Sequence, residues 1–168
     1  LTRISTQLPI NTRGMWVGTF HGLCNRFLRK HHADANLPEI FQILDSADQK
    51  SAVKRVMKAM NIDEDLISSK EAMYFINNNK EEGIRSKQFK AYDDMSKKLN
   101  SIYGAYDDQC QKEGVVDFAE LMLRCLELFQ KNSTIRHHYQ EIFKHILVDE
   151  FQDTSRLQYQ WLKMLTSP

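Results

Sequence analysis

Glycine and proline are scarce in this sequence, 6 and 3 residues in 168. So little punctuation disfavours a many-turned β protein and favours long helices. Cysteine is too sparse for a disulfide framework. Cys24, Cys110 and Cys125 lie far apart, each on an apolar helical face. They read as small buried hydrophobes in a reducing compartment and not as a zinc site. No apolar run approaches the ~18 residues that span a bilayer, and Leu1 to Gly14 lacks the apolar stretch of a signal peptide. The expectation is a cytoplasmic protein. Excess charge is missing too: the net charge is +1, and that total does not point to nucleic acid. The 6 glycines occur singly, with no Gly-Lys-Thr or Gly-Lys-Ser, so these residues contain no phosphate-cradling loop of the P-loop kind.

What is present is an ordinary globular balance, 42% hydrophobic and 27% charged, enough for one good core or one domain with a large insertion. The charge is unevenly spread. Residues 1–33 carry Arg3, Arg13, Arg26, Arg29 and Lys30 and no acid, hence +5, whereas residues 61–120 hold 13 acids and 8 bases, hence −5. A basic stretch facing an anionic ligand and a merely solvated basic face are both open readings.

Along the chain, Leu1, Ile4 and Leu8 have the spacing of a helix tail, and Trp16 to Thr19 is short and β-prone. Thr19 can cap a helix whose stripe is Phe20, Leu23, Cys24, Phe27 and Leu28. Arg26 and Arg29 lie off that stripe, where they can face solvent. Ser46 with Gln49, Ser68 with Glu71, and Asp117 with Glu120 have the spacing of helix starts. The second of these helices should stop near Gly83. A long helix with Met95, Leu99, Ile102, Tyr106 and Cys110 on one face should end at Gly114. The helix after Asp117 has the core face Phe118, Leu121, Met122, Cys125 and Phe129, and a shorter one covers Thr134 to Ile142. Residues 34–143 therefore read as an all-α unit.

The pattern then changes. His145-Ile146-Leu147-Val148 is apolar on both faces, as suits a central parallel strand, and Leu157, Trp161, Met164 and Leu165 mark a further helix. Such a strand needs neighbours, so the chain reads as an internal piece of something larger. Asp149 and Glu150 end the strand. One reading is that Asp149 and Asp153 only terminate it and cap the next helix. The other is chemical. Ligands of open α/β sheets bind at the carboxyl ends of the strands, and successive strand residues point apart. One carboxylate can then hold Mg²⁺ while the other orients or deprotonates water in phosphoryl transfer.

The whole string Asp149-Glu150-Phe151-Gln152-Asp153-Thr154 resembles the Walker B motif of the UvrD/Rep/PcrA-type superfamily 1 DNA helicases, with the likeness running through Gln158. Gly18-Thr19-Phe20-His21-Gly22, followed by Arg26 to Arg29, resembles the Thr-Phe-His motif of that family. Val116 to Leu121 is similar to its acidic Asp-Phe segment. Order and spacing agree from about Met15 to Leu165, and Phe41-Gln42-Ile43-Leu44-Asp45-Ser46 points to the UvrD branch. The resemblance implies a mostly α fold with a small α/β part. Residues 1–20 and 144–168 would be pieces of a RecA-like domain (1A), and residues 21–143 a helical insert (1B). It implies an ATP-dependent 3′-to-5′ helicase using ATP and Mg²⁺, nucleoid-associated during repair. Its partners would be single-stranded DNA, single-/double-strand junctions and repair proteins. Asp149, with Glu150 beside it, would serve the metal, Glu150 would be the base, and Gln152 would couple nucleotide to DNA. Thr19, His21 and Arg26 would lie along the DNA, although His21 also reads as a structural cap. Phe20, Trp16 and Trp161 read as packing residues. Lacking the phosphate loop, this chain alone is expected not to hydrolyse ATP. A non-catalytic helical binding module and a piece of a RecB- or AddA-like helicase-nuclease are the alternatives.

Overall fold

The computed structural model describes residues 14–149 and 155–166. In order, the described elements are α1 (Phe20–Lys30), β1 (Gln42–Ile43), α2 (Ser46–Ala59), α3 (Ser69–Glu81), α4 (Asp94–Glu113), β2 (Val115–Val116), α5 (Phe118–Lys131), α6 (Ser133–Ile142) and α7 (Arg156–Leu165). Among the described residues the chain is mostly helical with one small parallel sheet, the class that the sequence leads one to expect. The stripe at Leu1, Ile4 and Leu8 lies outside the described residues, as do Glu150, Gln152 and Asp153.

Local chemistry sets the boundaries. Thr19, Ser68 and Asp117 each accept a backbone N–H three residues on, from Gly22, Glu71 and Glu120, satisfying donors that a helix start leaves unpaired. At α2 the cap is Asp45, accepting from Asp48, one residue before the expected Ser46. Gln49 is instead buried and donates to Asn77 Oδ1 at 2.7 Å. Helix α4 ends at Gly114 with φ +66°, where a Cβ would meet Pro38 Cγ at 2.8 Å. Both the left-handed backbone and the close approach of Pro38 require glycine.

Residues 34–143 are not all helical. Gln42 pairs with Val115 and Ile43 with Val116 in a parallel register. Strands of two residues are too short to leave a period-2 signal. Their effect is to tie the segment before α2 to the α4–α5 junction.

Among the described residues, two hydrophobic cores result. The first gathers α1, α5, α6 and α7 around Phe27, with Ala35, Leu37, Phe41 and Val116. Phe27 stacks on Trp16 at 4.6 Å and meets Tyr139, Phe129 and Trp161 edge-on at 4.7, 5.1 and 5.9 Å. Truncating such a ring to alanine costs about 3–5 kcal/mol. Trp161 donates its indole N–H to Cys125 Sγ at 3.2 Å, so both tryptophans are packing residues. The three cysteines are buried thiols. The second core joins α2, α3 and α4 through Val53, Met57, Ile76, Ile102 and Tyr106.

The two expected strand segments differ from expectation. Trp16 to Thr19 forms no strand; no described strand lies beside it, and the Trp16 ring is spent on Phe27. His145 to Val148 is likewise not paired. Ile146 and Val148 pack on the first core while Leu147 is 99% exposed. The in-out alternation is that of a strand, but among the described residues nothing pairs with it or covers its outer face.

Candidate nucleic-acid interface

The Thr-Phe-His segment forms the start of α1. Thr19 is exposed and its Oγ1 accepts the Gly22 N–H at 3.1 Å. A hydroxyl that accepts still has its proton to donate, so Thr19 can cap the helix and serve an outside acceptor at once. His21 is half-buried, its ring edge-on to Phe118 at 6.3 Å and 87°. Burial holds its imidazole below the ordinary 6.5, and Glu81 pulls it the other way. At neutral pH His21 is therefore an uncharged hydrogen-bonding ring and not a cation. Phe20 packs edge-on to Trp161 at 5.7 Å.

The arginines of α1 do not share this surface. Arg26 is exposed with its guanidinium 3.7 Å from the Trp16 ring centroid. It lies five residues from His21, roughly 140° around the helix. Arg29 is engaged internally. It donates to the Phe41 carbonyl, stacks 3.6 Å above the Phe41 ring, and donates to Asn25 Oδ1 at 3.2 Å. The expectation that it faces solvent is corrected: its aliphatic stem and planar head find better partners on Phe41 than in water.

Asp149 is exposed, just beyond the apolar run. Its expected companions Glu150 and Gln152 lie outside the described residues.

Sequence reasoning missed the charged cluster beneath Phe118. Lys80 of α3 is 1% exposed. Its Nζ lies 2.9 Å from Asp117 and Asp107 and 3.1 Å from Glu120. Arg85 reaches Glu120 at 2.7 Å and Glu127 at 2.6 Å, and Arg124 reaches Glu120 at 3.0 Å. Tyr106 donates its hydroxyl to Asp117 at 2.6 Å. Burial alone would lower the Lys80 pKa, but Asp117, Glu120 and Asp107 outweigh it and hold the ammonium charged. Burial would raise the Glu120 carboxyl, yet Lys80, Arg85 and Arg124 hold it well below its usual range. The network joins α3, α4 and α5 where the two cores meet. Its one sequence signal was Lys80 itself, which follows Ala72 and Ile76 at the four-residue spacing of the buried face of α3.

The first residue of the expected core face of α5 also departs from expectation. Leu121, Met122, Cys125 and Phe129 are buried, but Phe118 is 51% exposed.

The sequence matches the UvrD/REP helicase N-terminal domain over residues 1–168. It is 49% identical to DNA helicase II of Escherichia coli (strain K12) over 164 residues, 97% of this chain and 23% of that protein. Identity to DNA helicase II of Haemophilus influenzae is also 49%, over 90% of this chain and 21% of the relative. Against the ATP-dependent DNA helicase PcrA of Staphylococcus aureus (strain Mu50 / ATCC 700699) it is 34%, over 91% of this chain and 21% of the relative. The chain thus spans under a quarter of the length of these relatives. Because the match covers the whole chain, the chain belongs to the UvrD/REP helicase N-terminal domain family.

Proposed function

We propose that this chain forms part of the single-strand track and the metal-holding half of the nucleotide site of an ATP-dependent 3′-to-5′ DNA helicase. The observation that carries the reading is the start of α1. There an exposed Thr19 hydroxyl with a proton to donate stands two residues from a half-buried, uncharged His21. First-turn N–H groups and the positive end of the helix dipole suit a phosphate oxygen. Arg26 would add a separate phosphate contact further along α1.

At the other end, Asp149 is a hard oxygen donor of the kind Mg²⁺ takes, and Glu150 beside it would serve the metal and act as base. Bound Mg²⁺ would neutralise charge on the transferring phosphate of ATP. Gln152 would couple the nucleotide to DNA. The phosphate cradle would come from residues outside these 168. Residues 1–20 and 144–168 would belong to a RecA-like domain, and residues 21–143 to its helical insert. The bare outer face of Leu147 supports this, since a central strand of that sheet would be covered there. The helicase would act in the bacterial cytoplasm, nucleoid-associated during repair, on single strands and single-/double-strand junctions together with repair proteins.

The test is strand displacement by the full-length protein on duplexes with a 3′ or a 5′ single-stranded tail. ATP-dependent unwinding that needs the 3′ tail is expected. A protein that unwinds neither substrate contradicts the proposal.

A further inference from the structure

We infer that Tyr139 is a positioning residue that joins α1 to the segment ending in Asp149, and so makes single-strand binding and nucleotide binding depend on each other; this rests on the function proposed above. The two ends lie on different elements. Thr19 and His21 stand at the start of α1, and Asp149 ends the segment that follows α6. Among the described residues that segment has no strand partner, so side-chain packing sets its place against α1. Tyr139 is central to that packing. Its ring is 1% exposed, stacks on Phe143 at 5.7 Å and 20°, and meets Phe27 edge-on at 4.7 Å. Its hydroxyl lies 2.7 Å from Nε2 of His31, the C-cap of α1. Tyr139 thus holds α1 at two points about one turn apart. The Phe143 N–H in turn donates to the Tyr139 carbonyl at 2.8 Å. Asp149 follows Phe143 by six residues, and Ile146 and Val148 between them pack on the same core.

A ligand shifts a structure only through contacts that differ between two states, and Arg26 supplies such a contact. Without DNA its guanidinium lies 3.7 Å from the Trp16 ring centroid. Trp16 in turn meets Tyr139 and Phe143 edge-on at 5.7 and 5.5 Å and stacks on Phe27 at 4.6 Å. A phosphate that draws Arg26 away removes a cation–π contact from the ring that supports both Tyr139 and Phe143. Rings packed this closely pass a displacement on, because a dense interior leaves little room to absorb it. The displacement reaches Phe143 and, through the short segment beyond it, Asp149. Coupling between binding sites is reciprocal, so occupation of the Asp149 end acts back on α1 through the same contacts.

The experiment uses the full-length helicase carrying Tyr139→Leu, Tyr139→Phe or Phe143→Leu. Affinity per folded molecule for a single-stranded oligothymidylate is measured with and without a magnesium-bound, non-hydrolysable ATP analogue. Melting temperature is taken on each variant. The ratio of the two affinities is the coupling factor. Tyr139→Leu and Phe143→Leu are expected to bring this factor roughly three- to tenfold closer to one, while the affinity without nucleotide stays that of the unaltered protein. Tyr139→Phe keeps the ring on Phe143 and Phe27 and loses only the His31 contact, so it should retain part of the factor. Should Tyr139→Leu fail to fold, Phe143→Leu decides, since Phe143 is only partly buried. A lowered melting temperature with the coupling factor intact makes Tyr139 mere packing and overturns the inference. So does an equal loss of affinity with and without nucleotide. If the unaltered protein binds both ligands and neither affects the other, the inference falls and the proposed DNA track stands. If it binds no single strand, both fall.

Discussion

Lys80 and Asp117 form an ion pair inside the protein, 2.9 Å from Nζ to Oδ2, with side chains 1% and 2% exposed. Asp117 also caps α5, so the pair joins the end of α3 to the start of the helix that presents Phe118. Removing one partner of a buried pair strands the other charges without compensation. Lys80→Met should therefore destabilise the protein by about 3–5 kcal/mol, read from the midpoint of chemical denaturation. A loss below about 1 kcal/mol, the scale of an exposed ion pair, would mean that the cluster is far more hydrated than its geometry indicates.

Acid should act on the same cluster through Glu120. The folded state holds this carboxyl below its ordinary 4.5; burial opposes the shift, and Lys80, Arg85 and Arg124 overcome it. A depressed carboxylate pKa gives stability that is present above the unfolded value and lost as pH falls through the folded one. Asp107 works in the opposite sense, because burial raises its pKa and Lys80 offsets that only in part. Glu120→Gln should then be the less stable protein at pH 7. The gap to the unaltered chain should narrow as pH falls below 4.5. Melting temperatures measured across that range check the sign, and a gap that widens towards acid would contradict it.

The helical frame was legible in the sequence because its boundaries rest on local chemistry. Thr19, Ser68 and Asp117 cap where their spacing indicates, and Gly114 ends α4 in the left-handed conformation that the sequence implied. What escaped was non-local. The two-residue strands carry no periodicity of their own, and the Lys80 cluster is assembled from three helices. Phe118 continues the apolar stripe of α5 yet projects from it. Arg29 lies off its stripe and is still taken up by Phe41, since Phe41 belongs to a segment beyond the end of α1. Of the candidate site, Thr19 and His21 come together at one helix start because they are neighbours in sequence. Arg26, five residues beyond His21, does not join them.

The missing phosphate loop gives an expectation for the 168-residue chain by itself. It should show no DNA-stimulated ATPase activity, since the proposed metal-holding pair would have nothing to act on without a phosphate cradle. In the full-length protein, Glu150→Gln should still bind ATP while hydrolysis falls ~10²-fold or more, and Asp149→Asn should weaken Mg²⁺ dependence and hydrolysis together. Turnover by the chain alone, abolished by Glu150→Gln, would show that another phosphate-binding element exists within it.

Arg26 is exposed over Trp16 and is expected to matter mainly through salt. Arg26→Ala in the full-length protein should lower single-strand affinity modestly and reduce the slope of log affinity against log salt by at most ~0.7, the share of one phosphate on a single strand. Arg29→Ala should leave that slope unchanged and lower the melting temperature, because Arg29 holds Phe41. A salt slope that responds to Arg29 and not to Arg26 would reverse the assignment.

The most direct test of the single-strand track is His21→Ala in the full-length protein, with single-strand affinity per folded molecule and melting temperature measured on the same preparation. His21 is half-buried against Phe118 but its side chain is not the cap of α1, a task performed by Thr19. Weakened single-strand binding and DNA-stimulated ATPase are expected, with little change in melting temperature. A lowered melting temperature with affinity per folded molecule intact would make His21 a packing residue and contradict the placement of DNA on this face.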